Sequence, residues 1–505
     1  MVLFRYLMAI GVTIALVVAP VAAQIPAPTF DEAMQADLET FVRAAMAEYG
    51  VTGAAVAVVQ DGGTSTYLGT FGTLGENDPQ PVNSDTRFMI GSISKSFTTL
   101  LMAQLVDDGP VSWNTPVTDV LPEFALSDPD ATAQVRVRDL FNMSTGLPRY
   151  DIPDLFASTP QDTFYWLSRT PLVAAPGEEY HYNNLIVAAG GWLAAVLTGT
   201  PFDGDLADAY ASLMQSHVFD PIGMERATLD LKAAVADANH AVGYGYDSLD
   251  GAVAITEMPP VVLEHDVVSI APAGAIWASI TDMAKYVALQ MNGGITASGE
   301  RIVSEENLGL THAGETPIDS GVRYGMGWAH SFWNFQLMIS HNGSTVGYSS
   351  RISFLPESDL GIVVLNNLGP ATNFNLTVQD FILEQAFGLE HTAAPVYSAA
   401  EAQMSEFLRG VGADWQPVDI DEVAAFTGEY EFGLQAAIEG DQFLVRTVIG
   451  DVPLLEIGDS GQYAMLSRLG LYRVTFTGQD DITMTLETMI NFDDPPQAVS
   501  LRKVG

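Results

Sequence analysis

Two blocks of strand-like sequence, set far apart, constrain this chain more than any other feature. Ala54 to Val59 and Ser65 to Gly69 form a hairpin pattern around Asp61-Gly62-Gly63. The next sustained strand patterns, Tyr324 to Trp328, Phe335 to His341, Tyr348 to Leu355 and Gly361 to Asn366, come only after a long, mainly helical stretch. A lone hairpin is marginal in water, so the late strands are expected to pair with the early ones in one antiparallel sheet. Apolar spacing predicts helices over residues 30 to 49 and from Asn375 to Phe387, on either side of this strand pattern in the chain. The fold class that follows is α+β: an antiparallel sheet flanked by helices, with an all-helical subdomain inserted between its two halves.

The insertion carries its own signals. Phe97, Leu100, Leu101 and Leu105 keep helical spacing until Asp107-Asp108-Gly109, and Val137 to Met143 reads as a short helix. A further helix follows Asn184, capped by Asn183 or Asn184, and another spans Ser279 to Met291, capped by Ser279 or Thr281. At 505 residues the chain exceeds a typical single domain. A main unit over 24–392, a linker over 393–420 and a small antiparallel β-domain over 421–505 are expected, the last from recurrent runs such as Gln442 to Val448 and Leu471 to Phe476.

Composition excludes several functions. The absence of cysteine removes a thiol nucleophile, disulfides and thiolate metal sites. The eight histidines show no metal-binding spacing, so neither metal nor cofactor is expected. A net charge of −42 repels nucleic acid, which is not expected as a partner. Residues 1–23, with Arg5, the apolar run Leu7 to Val18 and Val21-Ala22-Ala23, read as a cleaved secretory signal. No later segment has the apolar length of a membrane span, so a periplasmic or secreted protein is expected.

The chemistry-bearing stretch is Ile90-Gly91-Ser92-Ile93-Ser94-Lys95 at the head of the first buried helix. On a helix, Ser92 and Lys95 share a face, and an adjacent amine can take the proton of an otherwise weak serine nucleophile. The chain holds four lysines, and Lys503 also has a serine, Ser500, three residues before it. That second pair ends a β-like tail, where residues three apart point to opposite faces. Gly458-Asp459-Ser460-Gly461 reads as a hairpin turn, not as a protease nucleophile segment.

Further words stand in order along the main unit: Asp139-Leu140-Phe141-Asn142-Met143-Ser144-Thr145-Gly146-Leu147-Pro148, Pro176-Gly177 through Asn184, Pro272-Ala273-Gly274, Tyr324-Gly325-Met326-Gly327-Trp328 and His341-Asn342-Gly343. With Thr86 to Lys95 they make the chain resemble the serine β-lactamases and penicillin-recognising peptidases, in the class C-like branch with D-amino-acid peptidases and esterases. The resemblance implies Ser92 as the acylated serine, Lys95 as the amine sharing its proton, Tyr182 as the proton relay and Asn184 as the amide orienting Lys95. It implies a third motif at His341 and Gly343, and an oxyanion hole from the backbone N–H groups of Ser92 and Ser344. Two routes stay open, with Lys95 neutral as the base or charged beside an acidified Tyr182. The implied substrates are D-amino-acid peptides, β-lactams or small esters. The alternative is a penicillin-recognising sensor acylated at Ser92 with little turnover.

One departure carries weight. His341 stands where the lactamases have lysine, and an ordinary histidine is charged only below about pH 6.5. The expectation is a weaker hold on a substrate carboxylate and a tilt toward peptidase, amidase or esterase. The tail resembles the lipocalin-like half-barrel appended to some such peptidases, through Phe426-Thr427-Gly428-Glu429-Tyr430.

Overall fold

The structure is a computed structural model that describes residues 28–504 except 150–158, 248–253, 260–268, 346, 411–415, 448–449, 458–461, 468–469, 479–480 and 489–497. The expected signal segment and residues 458–461, read above as a hairpin turn, lie outside the described residues; the strands Gly450–Glu456 and Gln462–Ser467 pair antiparallel.

The separated strand blocks do pair. The main sheet runs Ser65–Gly72, Gly53–Gln60, Leu360–Asn366, Ser349–Leu355, Gln336–Ser344, Ala329–Trp333, Arg323–Tyr324 and Thr316–Pro317. The join between early and late blocks is the antiparallel register Ala54 with Asn366 through Gln60 with Leu360. Alternate residues of one strand serve two cores, because successive side chains point to opposite faces. Val56 and Val58 pack with Leu38, Val42, Phe374 and Val378 of the first and last helices of the unit, Glu32–Tyr49 and Thr372–Ala386. Ala55, Ala57 and Val59 belong to the cluster that holds Phe97, Leu101 and Val287. Burial on both faces explains why Gly53–Gln60 reads as a continuous apolar run and not as an alternation.

The helix Ser94–Asp108 is the buried centre of the second core, and every residue from Ser94 to Leu105 is buried. Its hydroxyls are satisfied one by one, as burial requires. Thr98 Oγ1 donates to the Pro272 carbonyl at 2.5 Å, Ser94 Oγ accepts from the Ile276 amide at 3.2 Å, and Tyr286 donates to Ser96 Oγ at 2.8 Å. These bonds clamp residues 272–276 onto the helix. Phe97 stacks on Tyr286 with ring centroids 3.6 Å apart.

Several expectations shift by local chemistry. The strand expected over Tyr324 to Trp328 stops at Tyr324, since Gly327 sits at φ +80°, and strand structure resumes at Ala329. Asn334 and Phe335, both at positive φ, form the turn before Gln336–Ser344, so Phe335 lies outside the strand. Val137–Leu140 is a 3₁₀ turn. The last helix of the unit starts at Thr372, three residues early.

The expected linker region also holds a helix, Ala394–Gly410, tied to the preceding one by Tyr397 Oη to Asp380 Oδ2 at 2.7 Å and by Asn373 Nδ2 to Glu401 Oε2 at 3.0 Å. Beyond it, strands from Gly428–Glu429 to Ala498–Arg502 follow one another as an antiparallel meander. The meander curls back on itself, for the Val504 amide donates to the Glu429 carbonyl at 2.7 Å. Ser500 bonds Thr485, and Lys503 Nζ donates to the Ala425 carbonyl, so the second Ser-x-x-Lys pair is directed apart.

Candidate active site

Ser92 sits in a 3₁₀ turn, Gly91–Ile93, that feeds the buried helix. The residue before this turn is held from two sides: the Ile90 amide donates to Ile276 O at 2.9 Å, and Ser350 Oγ donates to Ile90 O at 2.7 Å. Gly91 has φ +53°, and a Cβ there would lie 2.7 Å from the Ser344 amide nitrogen. Only glycine permits both that backbone conformation and that approach. Gly343 is equally confined, since a Cβ would fall 2.0 Å from the Ile90 carbonyl oxygen. The two glycines of the first and third motifs therefore bring Ser92 and the Ser344 amide together.

Lys95 is fully buried, and its Nζ lies 2.9 Å from Ser92 Oγ, 2.7 Å from Asn184 Oδ1 and 2.9 Å from the Ala273 carbonyl. The last two oxygens only accept, so they take two N–H bonds of Lys95. Toward Ser92, Nζ presents either an N–H of the ammonium or the lone pair of the amine. The Nζ to Oγ line is the axis for proton exchange. Asn184 is available for this because its neighbour does the capping: Asn183 Oδ1 accepts from the Ile186 amide at 2.9 Å. Within the same helix, Gly191 lets Pro272 approach, for a Cβ would come within 2.3 Å of its ring, and this seats residues 272–274 beside Lys95.

Tyr182 places its ring 4.8 Å from Lys95 Nζ and 6.3 Å from the rings of both Tyr324 and His341. His341 is buried, and its surroundings decide its state. Nδ1 lies 2.5 Å from the Asn342 carbonyl, an acceptor, so Nδ1 carries the proton and Nε2 accepts from Tyr324 Oη at 2.7 Å. Burial, reinforced by the charge on Lys95, pushes the imidazole down to about 3. Burial likewise holds the Tyr324 phenol well above its ordinary range. The pair is neutral at any ordinary pH. An ordinary histidine would still be charged below about pH 6.5, but here removal from water disfavours the imidazolium far below that.

All seven residues singled out in the sequence thus belong to the segments that converge here, Ser92, Lys95 and Asn184 through direct hydrogen bonds. Sequence reasoning missed the Ala273 carbonyl, the Tyr324 hydroxyl and Arg149, whose guanidinium carbon lies 5.4 Å from the Tyr182 ring centre. Ala273 and Tyr324 fell in words read only as resemblance, and a backbone carbonyl leaves no side-chain signal. On the opposite face of the strand, Asn342 accepts from buried Arg351, which also bonds Gln379 at 2.6 Å; Gln379 in turn donates to Asp380.

Residues 38–387 match the family model described as Beta-lactamase. The chain belongs to the beta-lactamase family. Within it, the chain is 28% identical over 371 residues to an unguisins hydrolase of Aspergillus violaceofuscus, covering 68% of this chain and 63% of that protein. It is 27% identical over 342 residues to penicillin-binding protein 4 of Amycolatopsis lactamdurans, covering 65% of this chain and 84% of that one. The octameric penicillin-binding protein homologue from Pyrococcus abyssi shares the fold, with a TM-score of 0.61 at 20% identity, over 93% of this chain and 100% of that chain. The chain thus spans a little under two thirds of the fungal hydrolase. Relatives within the family carry the names hydrolase, penicillin-binding protein and beta-lactamase. Among the described residues there is no cluster able to hold a metal ion, and no helix is long and apolar enough to cross a membrane.

Proposed function

We propose an exported hydrolase that forms an acyl-enzyme on Ser92. The observation that carries this reading is the 2.9 Å contact of Lys95 Nζ with Ser92 Oγ, with the Asn184 amide oxygen and the Ala273 carbonyl holding the amine in place. Lys95 takes the serine proton as Oγ attacks the substrate carbonyl carbon. The oxyanion is held by the amides of Ser92 and Ser344. Tyr182 passes a proton to the departing nitrogen or oxygen and regains one from Lys95, which Asn184 keeps in place. Water then attacks the ester, releasing the acid and regenerating Ser92.

The neutral His341–Tyr324 pair supports substrates that need no charged anchor at the third motif: neutral amides, short D-peptides with blocked ends and small esters, over β-lactams that rely on a carboxylate. The N-terminal apolar segment supports export. The sensor reading is distinguished by outcome. Intact mass after a fluorophosphonate should show one adduct per chain, mapped to Ser92, and p-nitrophenyl butyrate and a D-amino-acid amide should turn over. A stable penicillin adduct without turnover of any substrate supports the sensor; no adduct at Ser92 overturns both.

A further inference from the structure

Resting on that reading of Tyr182, we propose that Arg149 stabilises negative charge on the Tyr182 oxygen, supplying from the loop after Gly146 the cation that a neutral third motif does not. Arg149 is placed for this by the fold and not by chance of rotamer alone. Asn183, almost wholly buried, caps its own helix with Oδ1 and donates through Nδ2 to the Pro148 carbonyl at 2.8 Å. The residue next to Tyr182 thereby anchors the residue next to Arg149.

The charges around the phenol can be named element by element. Lys95 approaches from the buried helix at 4.8 Å from the ring centre, and Arg149 from its loop at 5.4 Å. From the sheet come Tyr324 and His341, both neutral and bonded to each other. On its own segment, Tyr180 packs against Tyr324, and Glu179 lies 3.3 Å from His181. Among the described side chains packed around Tyr182, Lys95 and Arg149 are the two cations bearing on its ring. Lys95 must give up or take a proton in each half-reaction, whereas a guanidinium keeps its charge throughout. Arg149 is thus the constant term. For a guanidinium over the ring and a phenolate charge about 5–7 Å away, an effective dielectric of about 20, with a further reduction because both side chains are partly exposed, gives an attraction of about one pH unit.

The test uses the full chain with Arg149→Gln and Arg149→Lys. The first reading is independent of turnover: carbon NMR of tyrosine labelled at Cζ, with the Tyr182 resonance assigned by its loss in Tyr182→Phe. The Tyr182 titration should move up by about one pH unit in Arg149→Gln and return most of the way in Arg149→Lys. The second reading is the alkaline limb of kcat/KM on the neutral ester, where the proton donor Tyr182 is lost; it should move in the same direction, with activity below that limb reduced up to about tenfold because a weaker acid gives up its proton less readily. An unmoved Tyr182 titration overturns the proposal. So does a loss confined to carboxylate-bearing substrates, which would make Arg149 a binding residue. If Ser92 were not the nucleophile, the NMR shift would still appear while the ester profile would not follow it.

Discussion

Replacing Gly343 with alanine tests whether the third-motif strand sets the position of the nucleophile. The added Cβ would stand 2.0 Å from the Ile90 carbonyl oxygen and 2.2 Å from Ser350 Oγ, the same two atoms that bond each other at 2.7 Å. Neither is the free end of a flexible chain: one is backbone, and the other is a short side chain on the adjacent strand. Ordinary contact requires a shift of roughly 1 Å. The hydroxyl bond is then lost, at about 1 kcal/mol, and overpacking adds about 1–3 kcal/mol. The expected destabilisation is about 2–4 kcal/mol. Ile90 lies two residues before Ser92, so part of that shift passes to the nucleophile, and a misplacement of about 1 Å can cost about a hundredfold in rate. Urea unfolding and the rate of Ser92 acylation by a fluorophosphonate measure the two effects. A variant with wild-type acylation and stability within about 0.5 kcal/mol would refute the reasoning.

Three other outcomes follow from the same geometry. Lys95→Met should lower kcat/KM by about a thousandfold or more without lowering the urea midpoint, because a buried amine is replaced by an apolar side chain of similar length. His341 is held near 3 and buried His312 near 4, both by burial, so the unfolded chain binds more protons than the folded one from there up to about 6.5. Stability from these groups is full above that range and falls with acid, by about 1.4 kcal/mol per pH unit for each histidine between about pH 4.5 and 6, and His341→Gln should flatten the slope measured by urea unfolding. Arg351→Met should cost about 3 kcal/mol, since it removes the cation facing buried Asp380, and should also slow acylation because Asn342 loses its partner; loss of stability with unchanged acylation would confine Arg351 to the fold.

The extent to which the site was legible in the sequence varies with the kind of interaction. Ser92 and Lys95 lie within one turn, so helical geometry alone brings them together. Asn184 was legible as an amide at a helix start, but which of Asn183 and Asn184 caps and which faces Lys95 depends on the entry angle of the chain. How far the His341 pKa falls was not legible, because a pKa belongs to an environment, and here Tyr324 and Lys95 come from two other segments. Arg149 left no trace, since nothing in its neighbours distinguishes an arginine over a tyrosine ring from one in solvent.

The sequence by itself determined the α+β class, the antiparallel pairing of strands set far apart, the contact of Ser92 with Lys95 and the curled β-domain at the end. These follow from periodicity, turn residues and the requirement that backbone bonds be closed locally or with the only strands present. The tertiary structure decided what surrounds each group. It docked a helix of the expected linker region, Ala394–Gly410, onto the helix before it, gave Lys95 the Ala273 carbonyl, and left the third motif neutral. Such properties depend on distance from water and from charges remote in the chain, which no local pattern records.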